Sequence, residues 1–95
     1  MTATVEFAAR YQLAPGVAIR PERFGGLVYR YDNRRLYFLR SRQTVELVNC
    51  LDGRRPLREI LDEFVTEREL PAAAREPLVA AVAQLEHLGL LTREN

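Results

Sequence analysis

The sequence predicts an α+β domain in which a three-stranded antiparallel sheet is followed by three helices. Residues 17–40 contain three short segments of alternating side chains, the pattern of strands with two unlike faces. Residues 42–88 contain three segments with apolar residues three or four positions apart, the spacing of one helix face. A chain of 95 residues is long enough for one such domain and too short for two.

The N-terminal part of the chain has a single strand signal. Residues 1–10 show no clear pattern, so we expect them to be a flexible lead-in to one domain spanning residues 11–95. The first strand is expected at 17–20, directly after Pro15 and Gly16, with Val17 and Ile19 on the same face.

The next two strands form a hairpin. Residues 27–31 and 34–40 alternate, and Asp32 and Asn33 between them are suited to a tight turn. In a meander the third strand has one unpaired edge. Of its side chains, Leu36 and Phe38 share one face while Tyr37 and Leu39 share the other, and only one pair enters the core. The second pair is covered either by the N-terminal segment or by a visiting peptide that adds a strand to the edge.

Helix signals fill the second half of the chain. Ser41 is suited to cap a helix over residues 42–51, and Asp52 with Gly53 ends it. Residues 57–67 follow the helical apolar pattern without an error. A third helix is expected over 77–88, with Pro77 in its first turn and Gly89 just beyond its end.

Composition and charge limit the class of protein. The chain is 47% hydrophobic and 28% charged, which is typical of a globular protein and excludes a disordered or fibrous one. No apolar run approaches the roughly 20 residues of a membrane helix, and MTATVEFAARYQL is not a signal peptide, so we expect a cytoplasmic protein without membrane contacts. Residues 1–58 carry 11 Arg against 5 acids, whereas residues 59–95 carry 3 Arg against 8 acids. The molecule should therefore have a basic and an acidic side.

The residues give no support to an enzyme. His87 is the only histidine, and near a helix end it suits the helix dipole better than general base catalysis. No Cys or His pair has metal-ligand spacing, and the glycines after Phe24 are too few for a phosphate-binding loop. We expect no catalytic residues, no metal and no cofactor.

DNA binding is the main alternative that the basic half suggests. A recognition helix must offer polar side chains to bases and phosphates, but EPLVAAVAQLEHLG offers aliphatic ones with Glu76 and Glu86. We therefore expect no nucleic-acid partner. A structural subunit that docks on a partner enzyme stays open.

Three blocks of sequence carry a family resemblance. LAPGVAIRPERFGGLVY, RRLYFLRS and LDGRRPLREIL resemble the pyrroloquinoline quinone biosynthesis protein D type of small protein, the recognition elements of ribosomally made, modified peptides (RiPP recognition elements). Within that group, VAIRPERFGGLVY and RRLYFL are most similar to the mycofactocin-system peptide chaperones. The resemblance covers residues 11–91 and implies a winged-helix-like fold, in agreement with the element order above.

The resemblance also implies a function and a site. Such proteins are non-catalytic peptide chaperones that bind the leader of a precursor peptide and present it to a radical S-adenosylmethionine maturase. The leader lies between the third strand and the third helix, and arginines around that cleft suit an acidic leader. Carried onto this chain, the peptide-binding residues are Arg34, Arg35, Leu36, Tyr37, Phe38, Leu39, Arg40, Arg42, Leu78, Val82 and Leu85.

Overall fold

The elements follow the order expected from the sequence, with one further strand at each end. A computed structural model describes residues 4–94. The expectation of an α+β domain with a three-stranded antiparallel sheet and three α-helices is confirmed in that range. The elements are β1 (Arg10–Leu13), β2 (Val17–Glu22), β3 (Gly25–Arg30), β4 (Arg35–Leu39), α1 (Arg42–Cys50), α2 (Leu57–Glu67), α3 (Arg75–His87) and β5 (Leu91–Glu94), with a short 3-10 helix (Ala72–Ala74) before α3.

The larger sheet is the expected meander. Its strand order is β2-β3-β4, all antiparallel, and Val28 in the centre lies opposite Ile19 and Tyr37. At the hairpin turn the left-handed residue is Arg34, with a φ of 58°, rather than Asp32 or Asn33. Asn33 supports the turn instead, because its Oδ1 accepts a hydrogen bond from the Arg35 backbone N–H at 3.0 Å.

The smaller sheet pairs β1 with β5 and was not expected. Arg10 lies opposite Glu94 and Leu13 opposite Leu91, so the sheet joins the two ends of the domain. Each strand has four residues, which is too short for a convincing alternating pattern. Pairing between distant segments also leaves no local signal. Tyr11, the central side chain of β1, is completely buried.

Part of the expected N-terminal lead-in packs against the domain. Ala9 is fully buried, and its carbonyl oxygen accepts a hydrogen bond from the Leu57 N–H at 2.8 Å. The Glu6 N–H donates to the Tyr11 hydroxyl at 2.9 Å. Residues 1–3 lie outside the described range, and the flexibility of residues 1–10 stays a prediction. Glu6 and Ala9 thus contact the domain that the sequence predicted to begin at residue 11.

The three helices match the sequence expectations closely. The Ser41 hydroxyl accepts a hydrogen bond from the Thr44 N–H at 3.1 Å and so caps α1. The range of α2 is the one expected, and its apolar face enters the core with Phe64 at its centre. The third helix begins at Arg75, two residues earlier than expected, and Pro77 lies in its first turn.

One arginine fastens the larger sheet to the end of α3. The Arg30 Nη1 donates to the carbonyl oxygen of Gly89 at 2.7 Å, and its Nε donates to Asp32 at 3.0 Å. Because Gly89 lies just after α3, this contact helps to fix the position of that helix relative to the sheet. The space between β4 and α3 depends on that position.

The loop after α1 contains a carboxylate that stabilises the fold in its charged form. Hydrogen bonds from the backbone N–H groups of Arg54 and Arg55 to Asp52 Oδ1, at 2.9 and 3.1 Å, lower the pKa of Asp52 below 3.8. A group with a lowered pKa stabilises the fold above its unfolded-state pKa, and this contribution disappears as the pH falls through the folded-state value.

The stability of the wild type should therefore fall more steeply than that of Asp52→Asn between about pH 5 and pH 2. Thermal unfolding midpoints across that range measure the difference. Glu67→Gln is the control, since Glu67 is exposed and has no ion pair among residues 4–94. If the unfolding midpoints of the wild type and Asp52→Asn depend on pH in the same way, the charged form of Asp52 does not stabilise the fold.

Candidate functional site

A groove of about 650 Å³ runs between the edge of the larger sheet and α3. The sheet side of the groove is formed by the end of β4 and the start of α1. The helix side is formed by the residue before α3 and the first three turns of that helix. The lining residues are Phe38, Leu39, Arg40, Ser41, Gln43, Thr44, Ala74, Pro77, Leu78, Ala80, Ala81 and Gln84.

The direction of the hydrogen bonds in the sheet follows from one observed contact. The Tyr31 N–H donates to the carbonyl oxygen of Gly16 at 2.9 Å, in line with the register of β2 and β3. In an antiparallel pair, hydrogen-bonded and non-hydrogen-bonded residues alternate. Odd-numbered residues of β3 therefore bond to β2, and even-numbered ones bond to β4. Pro21 is consistent with this alternation. It has no N–H to donate, and it lies at a position where β2 donates no hydrogen bond to β3.

The same alternation identifies the backbone N–H and C=O groups of β4 that have no partner in the sheet. Its odd-numbered residues lie opposite even-numbered residues of β3, so Tyr37 exchanges hydrogen bonds with Val28. The N–H and C=O groups of Leu36 and Phe38 point away from the sheet. Among residues 4–94, no backbone hydrogen bond from outside the strand ladders reaches either residue. One edge of β4 is thus open to another strand.

The helix side of the groove is made of small side chains. Ala74, Pro77 and Ala81 recur at the spacing of one helix face, joined by Ala80 and Gln84. The core-facing side of α3 carries Leu78, Val82 and Leu85, of which Leu78 also borders the groove. Alanines leave a wide space beside β4, which an extended peptide could enter. The sequence signal for this face was the alanine spacing in PLVAAVAQL, which sequence reasoning missed.

The structure divides the expected site residues into three groups. Phe38, Leu39, Arg40 and Leu78 line the groove. Val82 and Leu85 do not line it and are buried in the core, at 0% and 4% exposed. Their expected place on the groove face is taken by the alanines of α3. Leu36 lies on the exposed face of β4, Tyr37 packs against the core, and Arg34, Arg35 and Arg42 are exposed outside the groove lining.

The structure also shows which face of β4 enters the core. Tyr37 and Leu39 pack against the core, whereas Leu36 and Phe38 are 52% and 68% exposed. Phe38 is therefore available at the surface beside the open edge.

The arginines around the open edge of β4 are free to meet a ligand. Within residues 4–94, Arg34, Arg35, Arg40 and Arg42 have no carboxylate oxygen within 4.0 Å. Six other arginines in this range do form ion pairs: Arg20, Arg30, Arg55, Arg68, Arg75 and Arg93. The charge asymmetry of the sequence thus appears as unpaired positive charge next to β4.

Two further properties bear on the class of protein. In the described part of the chain, no cluster of three or more His, Cys, Asp or Glu side chains has a geometry that could hold a metal ion. No helix described here combines the length and apolarity that crossing a bilayer requires.

Comparison with known proteins points to one family. The model of the "Peptide chaperone MftB family" matches residues 10–92, a range that includes both sides of the groove. The curated "Peptide chaperone MftB" of Mycolicibacterium smegmatis is 49% identical over 41 residues, which are 43% of this chain and 40% of that protein. The protein of the same name from Mycobacterium tuberculosis is 44% identical over 41 residues, 43% of this chain and 38% of that protein. The match thus spans about two fifths of the length of these relatives. No solved structure matches the chain.

Proposed function

The chain belongs to the peptide chaperone MftB family, and on this premise we propose that it binds the leader of a mycofactocin-type precursor peptide between β4 and α3. In this proposal the leader is held as an added strand and is presented to a radical S-adenosylmethionine maturase. The family resemblance found in the sequence is confirmed by the family match. The leader, the maturase and the site residues are proposals.

The observation that carries the proposal is the open edge of β4. Outward-pointing N–H and C=O groups on Leu36 and Phe38 provide the backbone partners that an added strand needs. The groove begins at Phe38, so a strand paired there would continue along the small side chains of α3.

The other edge of the sheet is less suited to an added strand. On β2, the backbone nitrogen of residue 21 points away from β3, toward the free edge. Residue 21 is a proline, so it has no N–H to offer there. A proline on an edge strand is a common way to prevent further pairing. The sheet therefore favours β4 as the edge that receives a peptide.

The proposed role involves no chemistry by the chain itself, in keeping with the family description as a peptide chaperone. The chain would hold and orient the substrate of another enzyme. A cytoplasmic location belongs to the same proposal, because the precursor is made by ribosomes.

The two alternatives considered from the sequence have less support. The outward face of α3 presents Ala80 and Ala81 where a DNA-recognition helix needs polar side chains. A subunit that docks on an enzyme without touching the peptide would give no role to the groove.

The direct test is titration with a synthetic leader peptide while backbone amide shifts are recorded by NMR. The largest shifts are expected at residues 36–40 and along the first three turns of α3. If no amide between residues 34 and 40 shifts, the groove is not the peptide site.

Leader binding should depend on salt and on Arg40. We expect Arg40→Gln to weaken binding roughly two- to fivefold at low salt, the magnitude of an exposed ion pair. The difference should shrink as salt is added, because screening limits the reach of exposed charges to about 8 Å at physiological ionic strength. Isothermal titration at several salt concentrations measures both effects.

The matched control for Arg40→Gln is Arg58→Gln. Arg58 is exposed on α2 and has no ion pair within the described range. It should change leader affinity less than twofold, as expected for a surface charge distant from the interface. Equal effects of the two substitutions, or an affinity independent of salt, would remove the electrostatic part of the proposal.

A further inference from the structure

The larger sheet has a second face that no element described between residues 4 and 94 covers. One face packs Val28 into the core, whereas the opposite face, called here the outer face, carries Leu27, Tyr29, Tyr31, Leu36 and Phe38, with Phe24 at its margin. Four of these side chains are at least 46% exposed. The outer face also contains a depression of about 610 Å³. A contiguous apolar surface of this kind on a small protein marks an interaction site.

The aromatic side chains of the outer face are fixed by one another. The rings of Tyr29 and Tyr31 meet edge to face with centroids 4.7 Å apart. The rings of Phe24 and Phe38 are tilted at 45° with centroids 5.9 Å apart. Such pairs hold aromatic rings in place before binding, which lowers the entropy lost when a partner docks. Aromatic residues of this type often supply the main binding energy of protein interfaces.

The charges near the outer face define the chemistry of the partner. Arg34 lies at the hairpin turn beside the face, and Arg23 lies in the loop next to Phe24. Neither has a carboxylate oxygen within 4.0 Å among residues 4–94. Arg20 lies on the face itself, opposite Leu27, and is paired with Glu22 at 2.7 Å. The complementary surface is an apolar patch bordered by carboxylates. A second copy docked face to face would place arginines opposite arginines, which is unfavourable.

The size of the outer face also argues against a permanent dimer. Three strands about 4.8 Å apart and about 17 Å long present only a few hundred Å². A stable interface needs about 800 Å² from each partner. The face therefore suits a transient complex.

We infer that the outer face docks the radical S-adenosylmethionine maturase, through an apolar patch on that enzyme bordered by carboxylates. This inference rests on the proposed function, because that function supplies the enzyme as a partner. Phe38 connects the two surfaces: its side chain contacts Phe24 at the outer face and also lines the groove. An enzyme docked on the outer face would thus lie next to the strand that holds the leader. The peptide and the enzyme would bind at adjoining surfaces without competing.

The test compares two variants of the full chain against two probes, a synthetic leader peptide and the purified maturase of the same system. Tyr31→Thr combined with Tyr29→Thr removes apolar surface from the outer face, changes no charge and keeps residues suited to strands. Ala81→Gln fills the groove with an uncharged side chain. We expect the double variant to lose at least roughly tenfold in maturase affinity, as for central interface residues, while keeping leader affinity within about twofold. Ala81→Gln should show the reverse pattern.

Three outcomes would overturn the docking inference, and a fourth would overturn only the proposed peptide function. The double variant could bind the maturase as well as the wild type does, or the wild type could bind the leader and not the maturase. Sedimentation could instead show that the wild type dimerises and the double variant does not, in which case a second copy occupies the face. If the wild type binds the maturase through the outer face but binds no leader, the docking inference stands and the proposed peptide function fails. Thermal melting checks folding, and Tyr31→Thr alone serves if the double variant is unstable.

Discussion

Phe38→Pro should abolish leader binding in a protein that still folds, whereas Tyr37→Pro should disrupt the larger sheet. The N–H of Tyr37 bonds to Val28, so a proline there removes a ladder hydrogen bond and leaves the buried carbonyl of Val28 unpaired, which costs about 1–3 kcal/mol. The N–H of Phe38 points to the open edge, so its loss leaves the ladder intact and removes one of the donors proposed for the leader. Thermal melting and leader titration measure the two effects separately.

The control for Phe38→Pro is Phe38→Ala, which removes the same ring and keeps the backbone N–H. If the leader pairs with β4, alanine should reduce affinity only by the contacts of a side chain that is 68% exposed, and proline should reduce it much further. Equal affinities for the two variants would show that the leader does not use this backbone donor. A folded Tyr37→Pro protein with normal melting would show that the hydrogen-bond phase is wrong.

Gly25→Ala should destabilise the protein strongly and weaken leader binding as a consequence. Gly25 has a φ of 145°, and a Cβ atom there would overlap the carbonyl oxygen of Leu39. The backbone of β3 must move away from β4 to accept it, which separates the hairpin near the groove. We expect a loss of roughly 2–4 kcal/mol of unfolding free energy, as for a strained backbone combined with a steric clash. Chemical denaturation measures it.

Gly16→Ala separates backbone strain from the clash. Gly16 also has a positive φ, 76°, but a Cβ atom there would meet nothing within 4 Å. Its substitution should cost only about 1 kcal/mol, the usual penalty of a left-handed alanine. If the two variants are equally stable, β3 and β4 are not packed as closely as described.

Much of the fold was predictable because its signals are local. The apolar spacing of α2 and the cap at Ser41 each depend on neighbouring residues, and both were located correctly. The hairpin was found for the same reason. The pairing of β1 with β5 could not be found in this way, since four-residue strands carry little pattern and their partners are far apart in the chain.

The candidate site was only partly predictable, for a geometric reason. The alternation in 34–40 gave two faces of the strand without indicating which one enters the core, and the structure places Tyr37 and Leu39 there. On α3 the large side chains drew attention to Val82 and Leu85, which are buried. The helix side of the groove is lined mainly by the alanine side chains of α3. Alanines are easily overlooked when a site is sought among large or charged residues.

The pairing of β1 with β5 has a consequence for the order of events during synthesis. β1 is the first strand to be made, yet its partner is the last element of the domain. At roughly 5–20 residues per second, the ribosome needs several seconds to add the intervening chain. Until then β1, which contains Tyr11, lacks its partner strand. The core also lacks Leu91, which packs in it together with Tyr11. The meander and α1 contain mostly short-range contacts and can form earlier, so the strand edge proposed to pair with the leader would exist before α3 completes the groove and β5 closes the domain.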